Sequence, residues 1–275
     1  MTVREIMRTR GPSIRPTDGW PVAVRALLSS GARVLPVVED GALLGLVGER
    51  AVLAAQASGG FSAPVGRSWA TPEIGPGDEV DRLVGRMASE GVEGYAVVDE
   101  VRWLGVVTAA ELLPRLARQP LPRRPERVRD RMAADPPCAT LDEPLAVALE
   151  RMRERAVRHL PVIDGGRQVI GMLSDSDLRA AVGDLIAAED ADRLRARLRL
   201  QEVSDVARRS ALVIPQGASL SDAAQMLVGH GLEALAVVDE DWRLVGLLTS
   251  LDLLGAGHEG LRPRFSPSEP RPVLH

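Results

Sequence analysis

Two stretches of this chain carry residue types suited to holding a small polar ligand. Gly171-Met-Leu-Ser174-Asp-Ser-Asp177 and Gly246-Leu-Leu-Thr249-Ser-Leu-Asp252 share a glycine, two apolar residues, a hydroxyl and, three places on, a carboxylate. Gly105-Val-Val-Thr108-Ala-Ala-Glu111 is a weaker copy, and Gly45-Leu-Val-Gly48-Glu-Arg-Ala51 lacks both hydroxyl and acid. The glycine and apolar pair predict the end of a strand, and the hydroxyl falls where a helix begins. There it can accept hydrogen bonds from free backbone N–H groups. A helix start, with its unpaired N–H groups and positive dipole end, also receives anions. The same Ser/Thr-x-x-Asp/Glu spacing is a capping box. A cap would stabilise the helix by about 1 kcal/mol and bind nothing. Both readings stand on the residues alone.

Other chemistry is scarce. All basic residues are arginine and none is lysine, which excludes a P-loop lysine and Schiff-base catalysis. The single cysteine, Cys138, excludes an internal disulfide and a multi-cysteine metal site, and small apolar packing is its expected role. His230, His258 and His275 have no metal-ligand spacing, and His159 is the one histidine close to a candidate site. Gly229-His-Gly231-Leu-Glu-Ala234 imitates a dinucleotide fingerprint but runs from helix into strand, the reverse of the required order. No nucleophile–base–acid set is visible, so no enzyme and no required cofactor are predicted. A net charge of -4, with 3% aromatic residues, argues against a basic, ring-bearing nucleic-acid surface. Short apolar runs and the absence of a signal-peptide core at Met1-Thr-Val-Arg-Glu-Ile-Met7 predict a cytoplasmic protein with no membrane span.

The glycine-led stretches lie about 60 to 75 residues apart, so the chain reads as four related units. Each has a lead-in, an early strand, a helix, a hairpin and a closing helix, an α/β (α+β) class of βαββα repeats. In the first, Ser13–Pro16 is the early strand. Thr17 or Asp18 caps a helix to Ser30 with Val22, Ala26 and Leu27 inward, and Val34–Val38 and Leu43–Val47 form the hairpin. In the second, Glu73-Ile74 precedes a helix over Asp78–Glu90 with Val80, Leu83, Val84 and Met87 inward; Tyr95–Val98 and Trp103–Val107 follow. In the third, Pro137–Thr140 precedes a helix capped by Asp142 with Leu145, Leu149 and Met152 inward. His159–Ile163 and Val169–Leu173 are its hairpin, and a long helix over 175–200 follows. In the fourth, Leu212–Pro215, a helix from Ser219, and strands at Leu235–Val238 and Leu244–Leu248 complete the series. The expected boundaries are 1–56, 63–118, 128–200 and 201–256. A Pro/Arg linker spans 119–127, and a tail rich in Pro, Gly, Ser and Arg, expected to be disordered, spans 257–275.

The lead-in methionine, early strand, helix, Leu-Pro-Val-Ile-Asp164 and Gly-h-h-Ser/Thr-x-x-Asp resemble the cystathionine-β-synthase (CBS) domain, over nearly the whole chain to about residue 256. The resemblance implies two Bateman modules, each a pair of CBS units with two clefts that take adenine nucleotides or other adenosyl ligands. It implies that Asp177 and Asp252 receive the ribose hydroxyls, while Ser174, Thr249 and the helix starts meet phosphate. An ionised carboxylate suits a diol because it only accepts hydrogen bonds. Cys138, Ala139, Arg158, His159, Leu160 and Pro161 would line the cleft of the third unit. Leu212, Val213, Ala234 and Leu235 would line that of the fourth. Gly48 and Ala51 remove the grip from the first unit; in the second, Glu111 is one methylene longer than Asp, which would carry it past the diol and leaves a plain capping box as the other reading. The expectation is a regulatory homodimer with an unidentified protein partner, its ligand in the C-terminal module. The alternative is a ligand-free interaction scaffold whose motifs are caps. Modules of this family pair as a disc within one chain or between two, and the residues do not choose.

Overall fold

A computed structural model describes residues 1–9, 11–30, 32, 34–48, 51–52, 55, 64–65, 72–92, 94–100, 102–116, 126–178, 180–181 and 191–256. The Gly/Ser-rich stretch at 58–63, most of the Pro/Arg linker, the middle of the expected 175–200 helix and the tail lie outside them.

The four units repeat one pattern. Unit one has β1 (Arg8–Thr9), α1 (Trp20–Ser30), β2 (Val34–Glu39) and β3 (Ala42–Gly48). Unit two has β4 (Glu73–Ile74), α2 (Val80–Glu90), β5 (Gly94–Asp99), β6 (Arg102–Thr108) and α3 (Ala109–Leu116). Unit three has β7 (Ala133–Ala134), α4 (Leu145–Glu154), β8 (His159–Ile163), β9 (Val169–Ser174) and, beyond it, α5 (Ala191–Leu200). Unit four has β10 (Arg208–Arg209), β11 (Val213–Pro215), α6 (Leu220–His230), β12 (Ala234–Val238), β13 (Leu244–Thr249) and α7 (Ser250–Gly255). In every unit the early segment lies parallel to the first hairpin strand: Ile14 beside Val37, β4 beside β5, Ala139 beside Val162, and β11 beside β12. Every hairpin also slips register at the same place, at Val37/Val38, Val97/Val98, Val162/Ile163 and Val237/Val238. A bulge kept at one position in four copies marks them as one structural unit repeated.

Among the described residues, the lead-ins of units one, three and four leave their own unit and dock on the sister. The N–H groups of Val3 and Arg4 bond the carbonyls of Asp78 and Pro76 in unit two. Val128 and Arg129 bond Ala218 and Gln216 in unit four, and Val203 and Ser204 bond Glu143 and Leu141 in unit three. The short strands that follow pair in the same exchanged sense: β1 on β6, β7 on β13 and β10 on β9. This crossing explains the glycine that opens the motif. A Cβ on Gly105 would fall on the carbonyl oxygen of Arg8, and one on Gly171 would sit 2.8 Å from that of Arg208. Each glycine is needed for close backbone approach rather than for an unusual φ.

Two residues expected as caps take other roles, one of them because an exchanged lead-in supplies the partner. Asp142 does not cap α4, whose start at Pro144 has no side-chain cap. The N–H of Leu145 goes instead to the carbonyl of Gln201 from the fourth unit's lead-in, at 2.9 Å. Asp142 is fully exposed and bonds Thr140, which holds its carboxyl below the usual range. In unit one, Asp18 closes the turn before α1 by accepting from the N–H of Arg15 at 2.7 Å. With the helix starting at Trp20, its buried stripe is Trp20, Ala23, Val24 and Leu27, and Val22 is 44% exposed. The inward face read for α2, Val80, Leu83, Val84 and Met87, is buried as expected.

The two modules pack on each other within the single chain. One core runs from unit one into unit three, joining Leu27, Leu35 and Val52 to Leu145, Leu160 and Leu198. On the other side Leu251 and Leu254 of α7 enter the core of unit two, while Leu113 of α3 enters that of unit four. Among the described residues no helix is long and apolar enough to cross a membrane.

Candidate functional site

At the end of β9, Ser174 and Asp177 form a closed reciprocal contact. Asp177 Oδ2 accepts from the Ser174 N–H at 3.0 Å and from the Ser174 hydroxyl. The Asp177 N–H donates to Ser174 Oγ at 3.2 Å. This is the capping box foreseen in the residue spacing, and it uses one carboxylate oxygen. The second oxygen, Oδ1, accepts from Nε of Arg208 at 2.8 Å. The Asp177 side chain is 10% exposed and that of Arg208 66%.

The other units vary this arrangement. In unit four, Asp252 Oδ2 accepts from the Thr249 N–H at 2.7 Å and its hydroxyl at 2.6 Å, and Asp252 is buried. In unit two, Glu111 Oε2 accepts from the Thr108 N–H at 2.8 Å and its hydroxyl at 2.6 Å. Its Oε1 meets Nε of Arg8 at 2.5 Å. Thr108 and Glu111 thus form the capping box that their spacing allows. In unit one the matching position is Ala51, buried in the core with Val52.

Arg8 and Arg208 are equivalent, and the residue order could have shown it. Each follows the lead-in at one fixed step, and each pairs with the residue after the motif glycine, Arg8 with Val106 and Arg208 with Met172. The third member of this set is Ala133, opposite Leu247. None of the three was singled out from the sequence, because the exchange of lead-ins between units is invisible without the pairing.

The expected lining residues divide into groups. Arg158 bonds Asp175 through Nε at 2.7 Å and approaches Glu233 at 3.8 Å, and His159 Nε2 lies 4.0 Å from Glu233. Arg158 and Glu233 hold the same place in units three and four, each just before its first hairpin strand, so this cluster straddles the joint between the units. Asp175 and Glu233 are acids that sequence reasoning missed. Leu160 and Leu235 are fully buried in the two cores and serve as packing. Pro161, Ala139 and Ala234 are also buried, Ala139 against Val162 and Ala234 against Thr249. Leu212 is exposed. Cys138 and Val213 pack with Ile163, Ala236 and Leu244 where the sheets of units three and four face one another. Burial pushes the Cys138 thiol up, against the opposing influence of Arg167 and Arg151.

A cavity of about 370 Å³ opens beside this patch, lined by Gln168, Val169, Val213, Val238 and Trp242. Val213 is the one predicted site residue on its wall. Val169 and Ser174 are opposite ends of β9, roughly 17 Å apart at strand rise, so the cavity and the Ser174–Asp177 box occupy different ends of the module. Among the described residues no cluster of His, Cys, Asp and Glu is arranged to hold a metal ion.

Comparison with known proteins agrees with this architecture. A family model described as the CBS domain matches residues 3–58, 128–184 and 203–259, more than half of the chain. Unit two, outside those matches, has the same order of elements. A CBS domain-containing protein of Dictyostelium discoideum is 31% identical over 114 residues, 42% of this chain and 79% of that protein. The protein CBSX2 of Arabidopsis thaliana is 33% identical over 119 residues, 37% of this chain and half of that protein. The crystal structure of MJ1225 from Methanocaldococcus jannaschii shares the fold with a TM-score of 0.81 at 19% identity, covering 92% of this chain and 99% of that one. With four bulged hairpins in one order, exchanged lead-ins over the motif glycines, and a family model over three of the four units, the chain belongs to the CBS domain family.

Proposed function

We propose that the protein is a non-catalytic regulator that binds an adenosyl ligand, an adenine nucleotide or a relative of it, in its C-terminal module. The observation that carries this reading is the division of labour in the Asp177 carboxylate. One oxygen is committed to the capping box, and the other is held only by an exposed arginine side chain. That second oxygen is an acceptor a ribose diol can claim without dismantling the helix start. Arg158, at the joint between units three and four, is a cation suited to a phosphate. It shares its place with Asp175 and Glu233, which favours ligands of low negative charge. CBSX2, matched above by sequence, has been solved in complex with AMP. Ligand binding regulates only if it favours one arrangement of the units over another, since equal affinity shifts nothing.

Titration calorimetry with AMP, ADP, ATP and S-adenosylmethionine tests the reading. Asp177→Ala combined with Asp252→Ala removes both acids, and each lost charge-assisted contact is worth about 1.5–3 kcal/mol. The expected loss of affinity is therefore about tenfold to a hundredfold at each site. No heat with any of the four ligands, or unchanged binding in the double variant, would sink it.

A second reading has its own support: all three acids close capping boxes on their own backbone. In that reading the four units are an interaction scaffold. A melting temperature indifferent to all four ligands, with a stable dimer in light scattering, favours the scaffold.

A further inference from the structure

The pairing of Arg208 with Asp177 is repeated by Arg8 with Glu111, and the repetition is geometric. Both arginines sit on exchanged lead-in strands. Both place their own carbonyl oxygen over the motif glycine of the sister unit, Gly171 and Gly105. Both then send Nε to the carboxylate oxygen that the capping box leaves over, Oδ1 of Asp177 and Oε1 of Glu111. Against unit four the equivalent lead-in residue is Ala133, from unit three, whose methyl cannot make this contact. Each pair joins a nearly buried carboxylate to an exposed guanidinium: 10% against 66% in one, 10% against 63% in the other. Ion pairs with an exposed member are weak and easily exchanged.

We infer that Arg208 is a latch that sets the affinity of the third unit for its ligand. It occupies the oxygen that a ligand diol must take, so the diol and the guanidinium compete. Occupancy at Asp177 therefore frees Arg208, and with it a tie between the lead-in of unit four and the helix start of unit three. The lead-in residue that faces the motif of unit four is Ala133 of unit three, which carries no guanidinium. The inference rests on the adenosyl-ligand reading given above.

The test measures AMP binding by calorimetry in the Asp252→Asn background, which leaves one diol-binding carboxylate. Three further changes are compared in it: Arg208→Ala, Arg208→Gln, and Arg8→Ala as a control in the other module. Circular dichroism establishes that each is folded. The latch predicts that both Arg208 variants bind AMP about threefold to fivefold tighter, the range that an exposed pair allows, while Arg8→Ala leaves binding unchanged. Equal or weaker binding in the Arg208 variants overturns the latch, and weaker binding makes Arg208 a contact for the phosphate. Binding in the wild type that vanishes with Asp252→Asn alone puts the ligand in unit four and also overturns it. No binding by any protein, wild type included, removes the adenosyl-ligand reading itself.

Discussion

The two modules share a backbone and differ in what they place at the same positions. In the N-terminal module, the position of the motif acid is Ala51 in unit one, packed in the core shared with unit three. In unit two it is Glu111, engaged by Arg8. In the C-terminal module both units keep a hydroxyl and an aspartate. The joint between sister hairpins is the same in both modules, one residue pair each: Ala42 with Arg102 in the first and Gln168 with Arg243 in the second. The second joint lies beside the cavity at Val169 and Trp242. One copy of a repeat can thus be turned toward packing by replacing an acid with a methyl group, while its neighbour keeps the polar set, and the fold tolerates both.

Three measurements would sharpen or break this contrast. The largest effect is expected where the lead-ins cross. Gly105→Ala places a methyl on the carbonyl of Arg8, and Gly171→Ala meets that of Arg208 at a less severe 2.8 Å. Overpacking costs about 1–3 kcal/mol. Denaturant unfolding should put Gly105→Ala at the upper end and Gly171→Ala at the lower. Equal effects would mean that the two crossings are equally tight.

A smaller effect is expected at Tyr95, the single tyrosine of the chain and a buried member of the N-terminal core. Its hydroxyl donates to Glu90, and the Arg86 guanidinium stacks 4.9 Å from its ring. Burial, and then the bond to Glu90, raise its pKa. A phenol raised on folding contributes stability that is complete below the unfolded pKa of about 10 and is lost as pH climbs toward the folded value. Tyrosinate absorbance should therefore appear only with alkaline unfolding, and Tyr95→Phe should cost about 1 kcal/mol at neutral pH. A phenol that titrates in the folded protein near its ordinary pKa would contradict this account.

The smallest effect concerns the C-terminal module. Burial raises the Cys138 pKa, so its thiol should react with a disulfide reagent at neutral pH more slowly than free cysteine, since the thiolate is the reactive form. Ligand entering the cleft between units three and four should slow it further. A fast reaction would mean that the patch around Ile163 and Ala236 is open to solvent.

Much of this was legible in the residue order. The hairpins at 34–48, 94–108, 159–174 and 234–249 follow from short apolar runs around Asp, Glu and Gly turns, because side-chain alternation and turn chemistry are local. The inward stripe of α2 followed from helical spacing. The reciprocal Ser174–Asp177 and Thr249–Asp252 contacts followed too, since a residue and its partner three places on meet whatever the rest of the chain does. Errors arose where a distant segment supplied the partner. Asp142 looked like a cap, but the N–H of Leu145 is taken by Gln201 from the next unit. Leu160 and Leu235 looked like cleft lining, but the sheets turn them into the cores.

The sequence by itself determined the repeat, its four copies and the residue types left at each motif, because these depend on spacing along one strand or one helical turn. Long-range packing alone sets the exchange of lead-ins between sister units, puts Arg208 rather than solvent against Asp177, and closes the two modules on each other within one chain. Those outcomes depend on which carbonyls and apolar faces meet across scores of residues, and no local pattern carries that information.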